Sequence, residues 1–289
     1  PLFLAAQNGH LVAVHVLINA KASVDFPAGG WTPLHSAAAR GYEAIVQMLI
    51  NAKAPIDVRD SGNMTPLHAA AGKGRRNVVQ KLINAKANVD GGKDSSQTPL
   101  YLAAQNGHLG AVNVLINAKA ALDVENGPDP LHVAADKGHS RIVQVLIDAK
   151  ASVDFPHGYW SPLHAAAWYG HATIVHMLID AKANIHVRNY TNMTPLHAAA
   201  EKGQSDVVDV LINAKANMEI KDGSHKTPLF LAAENGHLET VNALIDAKAY
   251  VDPYGSIPLH YAAQNGHTSI GQVLIDAKAN VVFIDGFWN

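Results

Sequence analysis

Residues 65–87 read TPLHAAAGKGRRNVVQKLINAKA, and this stretch decides the fold. Thr65 offers a side-chain oxygen suited to capping a helix. Pro66 then supplies the fixed φ that suits a first helical position. Small alanines follow, which let a helix lie close to its neighbours, and Gly74 ends it by taking positive φ. In the preceding copy Ile45, Val46, Leu49 and Ile50 are spaced to form one apolar stripe on a second helix. Residues 57–64, from Asp57 to Met64, are turn-rich. Each unit therefore predicts helix, turn, helix, then an extended loop.

The Pro-Leu step recurs at Pro1, Pro33, Pro66, Pro99, Pro130, Pro162, Pro195, Pro228 and Pro258, at spacings of 30 to 33. Thr32, Thr98, Thr194 and Thr227 precede their prolines as Thr65 does, with Ser161 and Asp129 substituting. A unit this short cannot bury its apolar face alone; stacking on neighbours does so. A longer period overlies the short one. Pro1, Pro33, Pro66 and Pro99 reappear 129 residues later, residues 22–27 match 151–156, and residues 63–71 match 192–200. A block of four units was duplicated.

The units resemble ankyrin repeats, whose signature Thr-Pro-Leu-His-x-Ala stands intact at residues 65–70 and 194–199. Asn106-Gly107-His108-Leu109 is similar to the family's turn between helices. The resemblance covers the whole chain. It implies an all-α ankyrin-repeat solenoid of stacked helix-turn-helix units with hairpin-like loops. A single array over residues 1–289 is expected, with units beginning near 1, 33, 66, 99, 130, 162, 195, 228 and 258. The implied function is a non-catalytic scaffold that binds a protein partner through loop tips and the exposed face of the first helix.

Two departures stand out. The family closes its second helix with glycine, whereas all nine units here carry lysine: Lys21, Lys53, Lys86, Lys119, Lys150, Lys182, Lys215, Lys248 and Lys278. Either each lysine accepts a left-handed backbone or the cap is built differently. Stacked helices would align these lysines as a row, which reads as a solvated edge offset by acids four residues on, at Asp25, Asp57, Asp90, Asp123, Asp154 and Asp252. An electrostatic track for an acidic partner is the other reading. Those aspartates occupy the position at which the family commonly carries a hydroxylatable asparagine, so regulation by that route is not expected. His186 and Glu219 fill two further copies.

Composition narrows the function. With 22 basic and 24 acidic side chains the net charge is −2, which lacks the basic excess of a nucleic-acid binder. No run of eighteen apolar residues predicts membrane insertion. The absence of cysteine excludes disulfides, thiolate metal sites and thiol nucleophiles. Twelve of the 17 histidines sit in the Pro-Leu-His step or after the turn glycine, where repeat geometry explains them as structural hydrogen-bonding groups. His15, His157, His176, His186 and His225 do not cluster at ligand spacing, so no metal or cofactor is expected. No phosphate loop, His-Glu-x-x-His helix or nucleophile elbow occurs, and no enzyme is expected. The chain opens at Pro1 inside a motif and closes on apolar Val281 to Ile284; both ends read as those of a longer array. A cytoplasmic setting fits.

The exposed first-helix pairs are polar or small except Trp168-Tyr169. Phe155, Tyr159, Trp160 and Tyr190 lie in the flanking loops, with His157 among them. Aromatics dominate binding hot spots because they bury large area at low entropic cost. Phe155 and Trp160 recur as Phe26 and Trp31 in the duplicated block, which favours loop packing. Trp168, Tyr169 and Tyr190 do not: the other block has Ala39, Arg40 and a small residue at or beside Gly62. The expected contact residues are Trp168, Tyr169, Tyr190, Tyr159, Trp160 and His157. Two other readings stand beside the scaffold: the target-recognition segment of a larger toxin or bacterial effector delivered into a host cell, and a self-associating array that pairs as a homodimer.

Overall fold

The computed structural model describes residues 1–28, 30–92, 97–123, 129–154, 160–252 and 257–281. Among these the regular structure is helical, and one isolated β-bridge pairs Ala28 with Trp31. The chain groups into two compact units, Pro1–Ser152 and Val153–Asn289. In the first, the helices are α1 (Leu2–Gln7), α2 (Leu11–Asn19), α3 (Pro33–Arg40), α4 (Glu43–Asn51) and α5 (Pro66–Gly72). They continue as α6 (Arg76–Asn84), α7 (Pro99–Gln105), α8 (Leu109–Asn117), α9 (Pro130–Asp136) and α10 (Ser140–Asp148). The second holds α11 (Pro162–Trp168), α12 (Ala172–Asp180), α13 (Pro195–Lys202) and α14 (Ser205–Asn213). It ends with α15 (Pro228–Glu234), α16 (Leu238–Asp246), α17 (Pro258–Gln264) and α18 (Thr268–Asp276). The expected all-α, stacked helix-turn-helix repeat forms throughout both units.

The helix starts are made as the Thr-Pro step predicts. Thr32, Thr65, Ser161 and Thr194 form capping boxes with the histidine three residues on. Asp129 substitutes by accepting the amide of Leu131. Within each unit odd-numbered helices pack against odd, as α3 does on α5 and α11 on α13, and even against even, as α4 does on α6 and α12 on α14. The result is two helical layers with the core between them. The Pro-Leu leucines Leu34, Leu67, Leu163 and Leu196 are fully buried, as are the alanine pairs Ala70-Ala71 and Ala199-Ala200. Val46, Leu49, Val175 and Leu178 close the core from the second layer. Each such leucine contributes roughly 2 kcal/mol through removal from water.

The lysine question has a definite answer. All nine lysines adopt the left-handed conformation, at φ between 62° and 74°. Lys53 donates its amide to Ile50 and Ala54 donates to Leu49, the two bonds of a Schellman cap, and the same pair recurs around Lys182 with Ile179 and Leu178. Each repeat thus pairs a left-handed glycine at the turn between its helices with a left-handed lysine at the end of the second helix, and at most of the glycines a neighbouring side chain stands close. A Cβ on Gly203 would come 2.5 Å from Nδ1 of His237, a side chain of the following repeat. The lysines are exposed, so their side chains reach solvent and the cost lies in the left-handed backbone.

The acids four residues beyond the lysines are committed to the next repeat. Asp57 accepts the amide of Asn88, Asp90 that of Ala121, and Asp123 that of Ser152. In the second unit Asp154, His186, Glu219 and Asp252 accept the amides of Asn184, Asn217, Tyr250 and Asn280. Asp25 is the departure, because the position that would donate to it is Pro55, which has no N–H. None of the nine lysines makes an ion pair among the described residues, unlike Lys137, which pairs with Asp136, and Lys226, which pairs with Glu234. Backbone acceptance, not neutralisation of lysine, is what these acids do.

Candidate functional site: the aromatic end of α11

The site grows from the start of α11. His164 is fully buried and shares its Nδ1 with Ser161, while its Nε2–H donates to the carbonyl of Met193, 2.9 Å away. Because Nδ1 accepts the amide of Ser161, Nε2 carries the proton. The same bridge joins His35 to Met64, His68 to Gln97 and His197 to Lys226. Burial pushes His68 and His197 down to about 4, against the raising effect of those carbonyls, and lowers His35 in the same way. These histidines fasten each first helix to the loop that follows it.

That fastening fixes Trp160, which packs its ring edge-on against His164 at 5.5 Å between centroids. The same indole meets Trp168 at 5.0 Å with the rings perpendicular. Trp168 sits at the last turn of α11, half-buried, and the ammonium of Lys202 from α13 lies 3.9 Å from its ring centroid. Its carbonyl accepts the side-chain amide of Gln204 at 3.2 Å. Backbone and ring are thus both held by the following repeat. Tyr169, next in sequence, is 52% exposed and stacks on His171.

Of the expected contact residues, Trp160 and Trp168 are brought together, with Tyr169 beside them. Tyr190 is 68% exposed on the turn between α12 and α13, where Asn189 accepts the amides of Thr191 and Met193. Tyr159 and His157, with Phe155, lie outside the described residues. Lys202 is the member that the sequence reading missed. Its signal was the spacing of one repeat plus one residue from Trp168, since side chains on the neighbouring first helix face one another.

The duplicated block shows what the tryptophan does to this face. There the Trp31 ring meets His35 in a tilted arrangement at 5.9 Å, and Ala39 and Gly72 stand where Trp168 and Glu201 stand in the second block. These small residues leave a cleft of about 240 Å³ lined by Trp31, Ala39, Met64, Gly72, Lys73 and Leu102 among others. The pairs Ala39-Arg40 and Gly72-Lys73 looked ordinary in sequence because smallness marks a cleft only once neighbours are in place. No helix among the described residues is long and apolar enough to cross a membrane.

A family model described as ankyrin repeats (3 copies) matches residues 1–60, 52–126, 117–189 and 196–285. Among solved structures, the crystal structure of the human ASB11 ankyrin repeat domain is 28% identical with a TM-score of 0.70. That match covers 76% of this chain and 99% of the other. No curated protein sequence matches the chain. Ankyrin repeats generally mediate binding between proteins, and the family and fold are typically non-catalytic. With the repeat geometry, the caps and the family match running through both units, the chain belongs to the ankyrin-repeat family.

Proposed function

We propose that this chain is a non-catalytic protein-interaction array whose principal contact residues are Trp168 and Tyr169, with Trp160 and Tyr190; Tyr159 and His157, proposed from the sequence alone, lie outside the described residues. The observation that carries the reading is the clasp on Trp168. A half-exposed indole held edge-on by Trp160 and capped by Lys202 is ordered before any partner arrives. Pre-ordering removes part of the entropic cost of binding, and aromatics at such positions dominate interface energetics. Tyr169, next in sequence to Trp168, and Tyr190, on the turn between α12 and α13, are both exposed and offer further aromatic area and hydroxyl groups.

Affinity capture with the native chain and with a Trp168→Ala/Tyr169→Ala variant tests this. Both residues are half-exposed or exposed, so the variant should fold, which circular dichroism verifies. A protein retained by the native chain and lost by the folded variant supports the proposal. Equal capture by both moves the contact surface elsewhere.

A further inference from the structure

The two blocks diverge in charge at one place. Arg40, Arg75 and Arg76 become Tyr169, Gln204 and Ser205 in the duplicate, 129 residues later. Three of the chain's six arginines thus line a single cleft of about 320 Å³, where the turn between α3 and α4 meets the start of α6. All three are exposed.

The fold does not require these cations. Arg75 donates its Nε–H to the carbonyl of Ala39 at 3.0 Å, and in the duplicate Gln204 makes the equivalent bond to Trp168 at 3.2 Å. A neutral amide meets the structural need, so the two terminal nitrogens of Arg75 are surplus to it. Arg40 and Arg76 have no ion-pair partner among the described residues. Glu43 is the one acid among the lining residues, and one of its oxygens accepts the side-chain amide of Asn77 at 2.7 Å. Three guanidinium groups and one carboxylate line this space, which leaves an excess of positive charge that favours an anion.

We propose that the Arg40–Arg75–Arg76 cleft binds the phosphate monoester of a phosphorylated segment of a partner protein. This deepens the protein-interaction reading and rests on it. Guanidinium groups match phosphate in a forked, paired geometry, and several can share its oxygens. A dianion gains more than a carboxylate from the excess of cations and so better offsets the repulsion from Glu43. The cleft has room for the phosphate and the side chain that carries it.

Fluorescence anisotropy with labelled ten-residue peptides tests it, each bearing a central phosphoserine, phosphothreonine or phosphotyrosine between degenerate flanks. Unphosphorylated peptides, inorganic phosphate as competitor, and vesicles containing phosphoinositide supply the comparisons. The Arg75→Gln/Arg76→Ser variant carries the residues that the duplicate block itself folds with. The native chain should bind a phosphopeptide set, lose it to inorganic phosphate, and bind at least about tenfold more tightly than the variant. Binding that is equal in native and variant, absent for every phosphopeptide, or confined to vesicles would overturn the proposal. The Trp168→Ala/Tyr169→Ala variant should keep full phosphopeptide binding. Loss of the peptide effect with intact capture through the aromatics would therefore refute this site alone.

Discussion

The Nε2–H of His197 donates to the carbonyl of Lys226, 3.1 Å away and 29 residues further along the chain, while Nδ1 accepts the amide of Thr194 at 3.1 Å. One neutral imidazole thus joins the start of α13 to the loop before α15. The bridge needs that neutral form, since a second ring proton would remove the acceptor.

Acid should therefore loosen the array. The unfolded histidines take up protons near 6.5, whereas folded His68 and His197 do so only near 4. The unfolded state binds more protons between these values, so stability is complete above 6.5 and falls as the pH drops toward 4, on the order of 3 kcal/mol per histidine. Urea midpoints at pH 7.0 and 4.5 measure this. A His197→Gln variant should show a smaller difference between the two pH values than the native chain.

The lysine caps store removable strain. Lys182 lies at φ 71° and is exposed, so Lys182→Gly should stabilise the chain by roughly 0.5–1 kcal/mol, the left-handed penalty less the added freedom of unfolded glycine. Lys182→Ala should change little. Thermal or urea unfolding of both variants decides it, and a Lys182→Gly loss of stability would refute the strain.

The turn glycines should separate into two groups. Gly203 and Gly266 share positive φ, at 69° and 75°, but a Cβ on Gly203 meets His237 whereas one on Gly266 meets nothing within 4 Å. Gly266→Ala should cost about 1 kcal/mol from the backbone alone. Gly203→Ala should cost about twice that or more, because His237 must move off its 3.0 Å bond to the carbonyl of Glu201.

One rung between repeats uses an imidazole where its neighbours use carboxylates. Nε2 of His186 accepts the amide of Asn217 at 3.0 Å, a role that carboxylates fill in the equivalent bonds to Asn184 and Tyr250. His186→Asp keeps an acceptor at this position and should hold the native urea midpoint. Asp154→Ala removes the acceptor of the Asn184 amide and should lose about 1 kcal/mol in the same urea titration.

The repeat was legible because its signals are local. A Thr-Pro start, an alanine pair and a turn glycine each act within a few residues, so their recurrence revealed the helices. The lysine cap was not decidable, since αL glycine and αL lysine differ only in what the next repeat presses against them. For the same reason the acids after each lysine looked like its counter-charges, when their partners are amides about thirty residues away. At the site, Trp168 and Tyr169 stood out by composition, but the clasp by Lys202 and the arginine cleft depend on side chains from adjacent repeats. Single-unit reading does not see these.

Contact between the Trp168–Tyr169 surface and a partner is open to photo-crosslinking. A benzophenone amino acid would replace Tyr169 in one protein and Lys182, on the opposite end of the second helix of that repeat, in another. Irradiation in cell lysate should join a discrete partner to the chain from position 169 and not from 182. A crosslink from 182 alone, with none from 169, would move the contact surface away from the aromatics.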